Sequence, residues 1–503
     1  MAQRRARALM VLGTGSGVGK SVIVAAILRW LRRRGIRCAP FKAQNMALNS
    51  YVTHDGLEMG RAQVYQAEAA GLRPDCRMNP ILLKPNGDST SQVIILGKPR
   101  YTISASDYYR YFKDHQAIVH RTYDELSQEF EVIVLEGAGS PAEINLQSRD
   151  LVNTKMAAHA HAPCLIVGDI DRGGVFAWLK GTLDLIEDEH RGLVKGVIIN
   201  KFRGDLRLLE PGLRQFEALS KIPVVGVLPW LSGVTVDQED GMYTRFIGRR
   251  LAREDKVRIG IIHLPRISNF TDFIPLSIEP DCEIELIEDG RDLEKDFDCV
   301  IIPGSKATIS DLRFLHSSGL KAGLLELYER GECVIMGICG GYQMLGERVL
   351  DPLGVEGAPG EMEGLGLLPI ETTMSDEKHL SQTTGHFLFP GLAAPTLLMG
   401  YEIHAGRTHR LKQGREVIPM DPANDSIGMF TRDGRIIGTY LHGLFDNDGL
   451  RRSFLDLLRS RKGLAPIKRV SSYMDFKEEN LDRLADWLEG GLDMDWLSSL
   501  LRI

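Results

Sequence analysis

The chain is sparing with cysteine. Its 503 residues include seven cysteines, at 38, 76, 164, 282, 299, 333 and 339, and no two form a Cys-x-x-Cys pair. An odd, scattered set in a large chain excludes a disulfide frame and a zinc site, and points to a reducing, cytoplasmic setting. Long apolar runs are missing as well. The longest are strand-sized, so no membrane-spanning helix is expected. Positive charge is not in excess: 61 Lys and Arg stand against 67 Asp and Glu, a formal net charge of −6. That leaves no footprint for nucleic acid or an anionic membrane. The basic opening Arg4-Arg5-Ala6-Arg7 runs straight into a strand, not into a secretory apolar region with a cleavage site. Internal repeats and low-complexity segments are absent. Nothing in the sequence bears on oligomeric state.

What is present is an ordinary globular balance, 43% apolar and 25% charged, in a chain long enough for two or three domains. In residues 1–247, short β-rich runs at 9–12, 132–135, 164–167, 194–199 and 224–228 alternate with helical stretches at 21–34, 151–160, 176–186 and 210–219. Such alternation means parallel βαβ units, with ligands at the carboxyl ends of the strands. Residues 248–255, within a charged stretch from 241, read as a linker. A second alternation fills 256–449, with strands at 257–263, 282–287, 299–302, 333–338 and 436–441; helices at 450–459 and 478–488 follow in a tail, 450–503. The expectation is an α/β protein with two doubly wound, mainly parallel-sheet domains, and a helical tail packed back on the second.

Cys339 is the most informative residue. The apolar run 333–338 delivers it into a turn with Gly337, Gly340 and Gly341, and a helical stretch follows at once. A strand, a tight bend with the thiol at its apex, and free backbone N–H groups are how a sheet presents a nucleophile. A thiol near its ordinary pKa of about 8.5 needs a base or a positive field. His442, closing the strand 436–441 in the same domain, is the best of the thirteen histidines for that task. His404 and His409 are weaker candidates, and Arg407 between them suits a substrate carboxylate. The expected oxyanion donors are the Gly340 N–H and an N–H from Gly304 or Ser305, in Pro303-Gly304-Ser305-Lys306. Gln343, one helical turn past Cys339, is placed to fix the polar end of a substrate.

The first domain opens with a phosphate loop. Gly13-Thr14-Gly15-Ser16-Gly17-Val18-Gly19-Lys20-Ser21 follows a strand and starts a helix. Gly15, Gly17 and Gly19 let backbone N–H groups turn inward around a phosphate of ATP; Lys20 reaches the terminal phosphates and Ser21 is a ligand for Mg²⁺. Five residues, not four, separate Gly13 from Gly19. Glu136, ending the strand 132–135 before Gly137-Ala138-Gly139, fits a second metal ligand, direct or through water. Asp55 and Glu58 are further candidates. Asp169 and Asp171 face nucleotide or acceptor, or shape the Gly173-Gly174 turn. The polar stretch 42–51 suits a polar, acidic substrate or ordinary solvation.

A thiol hydrolase joined to a nucleotide site points to amide transfer. The thiol releases ammonia from glutamine, and the nucleotide activates a carboxylate to receive it. Free ammonia is largely protonated at neutral pH, so enclosure of both steps raises the effective amine concentration. Gly337-Ile338-Cys339-Gly340-Gly341-Tyr342-Gln343 and Tyr440-Leu441-His442-Gly443 resemble the triad-type glutamine amidotransferases, and residues 13–21 with 136–139 resemble dethiobiotin-synthetase-like ATPases. The domain order is that of the corrinoid amidases. Residues 42–50, 60–70, 79–85 and 169–177 closely resemble the cobyric acid synthase family, over nearly the whole chain. The resemblance implies cobalamin biosynthesis: ATP, Mg²⁺ and glutamine serve to amidate the b, d, e and g carboxylates of adenosylcobyrinic acid a,c-diamide. It makes the 42–49 loop acceptor-facing. A related amidase of the a and c carboxylates is the alternative; a ParA-like switch leaves the thiol domain without purpose. One departure stands out. Many glutaminases of this class carry an acid two residues after the histidine, where this chain has Leu444, as the corrinoid amidases do. Asp446 and Glu402 are guesses for what orients His442.

Overall fold

The computed structural model describes residues 5–85, 90–234, 255–331 and 333–503. The boundary expected at 247, and all of the expected linker but Asp255, lie outside the described residues. In the first half, six strands form one parallel sheet in the order Val224–Pro229, Val194–Phe202, Cys164–Asp169, Arg7–Gly13, Val132–Glu136, Cys38–Phe41. Arg7–Gly13 lies at its centre and is buried from Ala8 to Gly13, because helices cover both faces. Val11 pairs with Glu136 and Gly13 with Val167, so the phosphate loop and Glu136 leave the same edge of the sheet.

The second half is built on seven strands. Cys282–Ile287, Val257–Ile262, Cys299–Ile302, Val334–Ile338 and Ile436–Thr439 run parallel; Asn424–Thr431 and Val417–Asp421 continue the sheet antiparallel. Ile302 pairs with Gly337 and Thr439 with Ile338, so Cys339 leaves the sheet between the strand ends that carry Gly304 and His442.

Two four-stranded sheets, beside two short two-stranded ones, add to the expected pattern. Gln44–Met46, Ile81–Pro85, Thr90–Ile95 and Lys98–Ser104 form a small sheet in the first half. In the second, Gly360–Glu363, Arg348–Asp351, Ile370–Phe387 and Thr396–Arg410 form another, dominated by a hairpin of 18- and 15-residue strands.

The tail corrects one expectation. The Asp448–Arg461 helix does pack on the second half, burying Leu450, Phe454, Leu455 and Leu458 in its core. The Tyr473–Glu489 and Met494–Leu501 helices cross to the first half. There Leu481, Leu484, Leu488, Leu497 and Leu501 share a core with Ile23, Ile27 and Trp30 of the Lys20–Arg33 helix. Buried Arg29 ties the two together, with Asp482 and Glu478 each at 2.8 Å. The apolar stripe of an amphipathic helix must be covered, and that of Tyr473–Glu489 is covered by Lys20–Arg33. All seven cysteines are buried and unpaired. No described helix is long and apolar enough to cross a membrane.

Candidate active site

At the thiol, the chain turns sharply. Cys339 has φ 52° and ψ −107°, a strained conformation for a side-chain-bearing residue, held by the Gln343 N–H on its carbonyl and by its own N–H on Thr439 O at 2.7 Å. The glycines after it serve close approach, not backbone twist: a Cβ on Gly341 falls 2.0 Å from Ile302 O, and one on Gly340 falls 2.8 Å from Ser305 N. Gly340 therefore packs directly on the backbone of Ser305, where the oxyanion donors were expected. Gly304 faces His442: its Cβ position lies 3.3 Å from the ring's Cε1.

His442 and Cys339 line one pocket with Gly340, Ser305, Lys306 and Gln343. The His442 backbone is clamped to Tyr401 of the long hairpin by paired hydrogen bonds of 2.9 and 3.0 Å, and its ring stacks on Tyr401. Its Nδ1 lies 2.6 Å from Asp272 Oδ2, and the other oxygen of Asp272 accepts the Gly443 N–H at 2.9 Å. The group that orients His442 is thus Asp272. Asp446 and Glu402 make no bond to it among the described residues; Glu402 is held by Thr383 at 2.8 Å and lies 3.5 Å from His404. His442 Nε2 is buried and has no hydrogen-bond partner, which leaves it open for the thiol proton. Burial alone pulls the imidazole down; the charge of Asp272 and then the Cys339 sulfur outweigh it and hold the ring at about 10. An imidazolium is the positive field that a thiolate nucleophile requires.

The other histidines take different parts. His404 stacks on Tyr440 and bonds Gly406 O, while exposed His409 faces Glu371. Arg407 pairs on the surface with Glu377 and does not line the pocket. Gln343 is committed at both ends, taking a hydrogen bond from Thr308 and giving one to Tyr440, each at 3.0 Å. It braces the pocket wall.

At the phosphate loop, Gly19 has φ 104°, and a Cβ there falls 2.2 Å from Asn200 Nδ2, so only glycine fits. Lys20 folds back over the loop, donating to Gly15 O at 2.8 Å and Gly139 O at 3.0 Å. Ser21 Oγ donates to Glu136 Oε1 at 2.8 Å. Glu136 also receives Lys42 at 2.9 Å and Gln66 at 2.5 Å. Its burial favours the neutral acid, yet Lys42 and these donors hold it below the usual carboxylate range. A hydroxyl and a carboxylate oxygen side by side match the donors a hard divalent cation takes. Lys42 supplies the positive charge there, so a metal would share Glu136 with it. Glu58 is elsewhere, buried between Lys84 and Lys378. Asp169 accepts Lys201 at 2.7 Å, and Lys201 bonds Gly17 O, so it braces the phosphate loop from outside.

A cavity of about 420 Å³ opens beside Gly139, lined by Gln44, Met46, Tyr108, Leu146 and Arg149. The small four-stranded sheet separates it from the thiol. Leu83 and Ser91 line the cavity, whereas their neighbours Lys84 and Gln92 line the thiol pocket, as alternation along a strand demands. The thiol pocket is therefore walled by both halves. The halves are locked nearby: Asn269 N–H donates to Asn49 Oδ1 at 2.7 Å, and Ser50 N–H donates to Asn269 Oδ1 at 3.1 Å, three residues before Asp272.

Residues 9–244 match the CobQ/CobB/MinD/ParA nucleotide binding domain, and 258–450 the CobB/CobQ-like glutamine amidotransferase domain. The chain is 44% identical over 506 residues to a cobyric acid synthase of Caldanaerobacter subterraneus, covering 98% of each. It is 45% identical over 510 residues to that of Desulfitobacterium hafniense, covering 99% of this chain and 98% of the other. With the one from Yersinia enterocolitica it shares 46% over 508 residues, 98% of each.

Proposed function

From the premise that this chain belongs to the cobyric acid synthase family, we propose how its two sites share one reaction. The protein is a glutamine-dependent, ATP-dependent ligase that amidates in cobalamin biosynthesis. The acceptors in this reading are the b, d, e and g carboxylates of adenosylcobyrinic acid a,c-diamide. The nucleotide half spans about 1–247, the glutaminase half about 256–449, and the unpaired cysteines suit a cytoplasmic setting.

Cys339 sulfur attacks the side-chain carbonyl carbon of glutamine. The tetrahedral oxyanion is received by backbone N–H groups at Gly340 and at Gly304 or Ser305. His442, oriented by Asp272, gives its proton to the departing nitrogen, and ammonia leaves as a thioester forms. Water, deprotonated by His442, then releases glutamate and restores the thiol. In the nucleotide half, the acceptor carboxylate takes the γ-phosphoryl group of ATP, leaving ADP. Ammonia displaces phosphate from that acyl phosphate to give the amide. Gly15, Gly17 and Gly19 cradle the phosphates, and Lys20 leaves Gly139 O to reach them. Mg²⁺, held by Ser21 and Glu136, supplies charge neutralisation when bound. The cavity beside Gly139, whose carbonyl Lys20 holds, is assigned to the acceptor carboxylate in this reading. Met46, 54% exposed, and Leu146, 40% exposed, line it and suit the apolar edge of a corrin.

The observation that carries this reading is the Cys339–His442–Asp272 pocket walled by strands of the nucleotide half. Mass spectrometry of the a,c-diamide incubated with enzyme, ATP and glutamine tests it. Four successive acid-to-amide mass changes are expected; two changes on the a,c-diacid would favour the alternative amidase.

A further inference from the structure

Three lysines line the pocket of Cys339, and two of them are spent. Lys84 and Lys378 reach it from opposite halves and share the buried Glu58 carboxylate at 2.8 and 2.6 Å. Lys306 is different. Its ammonium makes no ion pair and no hydrogen bond among the described residues, although it lines the same pocket one residue after Ser305. Burial, then the charge of Lys84, pushes it down to about 8, against the pull of Glu58, Glu356 and the Cys339 sulfur. An ammonium withdrawn from bulk water without a counter-ion costs free energy until an anion arrives. Glu356, in the same lining, accepts the Thr308 N–H and lies within 3.4 Å of Thr308 Oγ1, which fixes its carboxylate at the pocket wall.

Glutamine carries one anion and one cation at the end opposite its amide. With the amide carbon at Cys339, the α-carboxylate needs a positive group farther along the pocket, and the α-ammonium a negative one. We infer that Lys306 recognises glutamine as an α-amino acid, its ammonium binding the α-carboxylate while Glu356 receives the α-ammonium. This rests on Cys339 being the glutaminase nucleophile; it does not depend on which acceptor is amidated. Glutaminamide, which keeps the side-chain amide and the α-ammonium but carries an uncharged carboxamide in place of the α-carboxylate, is the fitting probe.

The test compares kcat/KM for glutamine and for glutaminamide, in the wild type and in Lys306→Met. Charge-assisted hydrogen bonds are worth about 1.5–3 kcal/mol, so the wild type should prefer glutamine by roughly 10- to 100-fold. In Lys306→Met the KM for glutamine should rise by about the same factor and the preference should vanish. Lys306→Arg should restore most of it. Amidation driven by added ammonium salt should persist in Lys306→Met, which reports an intact nucleotide half. An unchanged KM for glutamine in Lys306→Met, or a retained preference, overturns the inference. A wild type that uses glutaminamide as well as glutamine overturns it however the variants behave. Loss of the thiol reading itself is visible separately, as glutaminase activity surviving in Cys339→Ser.

Discussion

Asp272 approaches His442 from 170 positions away along the chain. It sits in the Phe270–Phe273 turn, all four of whose residues are buried. Its removal has a definite sign. Asp272 raises the imidazole pKa, so Asp272→Asn lowers it from about 10 and leaves the Cys339 sulfur to oppose burial. The alkaline limb of kcat/KM for glutamine hydrolysis should move to lower pH, and kcat should fall by about 10²–10⁴-fold. A pH profile of glutaminase activity checks both. Cys339→Ser should lose hydrolysis of glutamine while ammonium-driven amidation continues, followed by product mass. Cys339 and His442 were legible in the sequence because each stands at the end of an apolar run beside glycine, a local pattern. Asp272 was not, since its link to His442 is made only by the fold. The one available sign was an acid set between two phenylalanines in a segment too apolar to be a surface loop. Glu58 and Arg407 misled for the converse reason: charge in a sequence does not disclose its partner, and each is neutralised by a residue distant from it.

The parallel strands could be read from the chain because strands buried on both faces are continuous apolar runs. The long hairpin of Ile370–Phe387 and Thr396–Arg410 could not. Many of its residues are exposed or half-buried, so its apolar signal is diluted by His, Glu and Thr. Yet this hairpin clamps His442 through Tyr401. Two elements invite direct tests. At the thiol elbow, Gly341→Ala places a methyl against Ile302 O. Overpacking of that kind costs about 1–3 kcal/mol, and the melting temperature should fall with glutaminase activity. At the phosphate loop, Lys20→Ala should abolish ATP-dependent amidation and spare much of the glutamine hydrolysis, because Lys20 folds over the loop and does not line the thiol pocket. Full amidation by that variant would refute the role assigned to the loop.

Across the whole molecule, the halves meet where chemistry is shared. One small sheet presents Leu83 to the cavity beside Gly139 and Lys84 to the thiol pocket, and Asn49 secures the turn that bears Asp272. Asn49→Ala should therefore slow glutamine hydrolysis although it lies in the nucleotide half, an effect that steady-state glutaminase kinetics would register. Tail helices at 450–459 and 478–488 were legible and Met494–Leu501 was not, but an apolar stripe does not say which surface it will cover. Leu484→Ala should cost about 2–5 kcal/mol, felt as earlier melting of the nucleotide half by fluorescence of Trp30. The return of Tyr473–Glu489 and Met494–Leu501 to the opening domain also sets an order of maturation. Domains generally fold as they leave the ribosome, the first made being the first finished. Here the half that emerges first is completed only by helices that follow the thiol half in the chain. A product cut short before Tyr473 would hold a thiol half with its core complete and a phosphate half still missing part of its own.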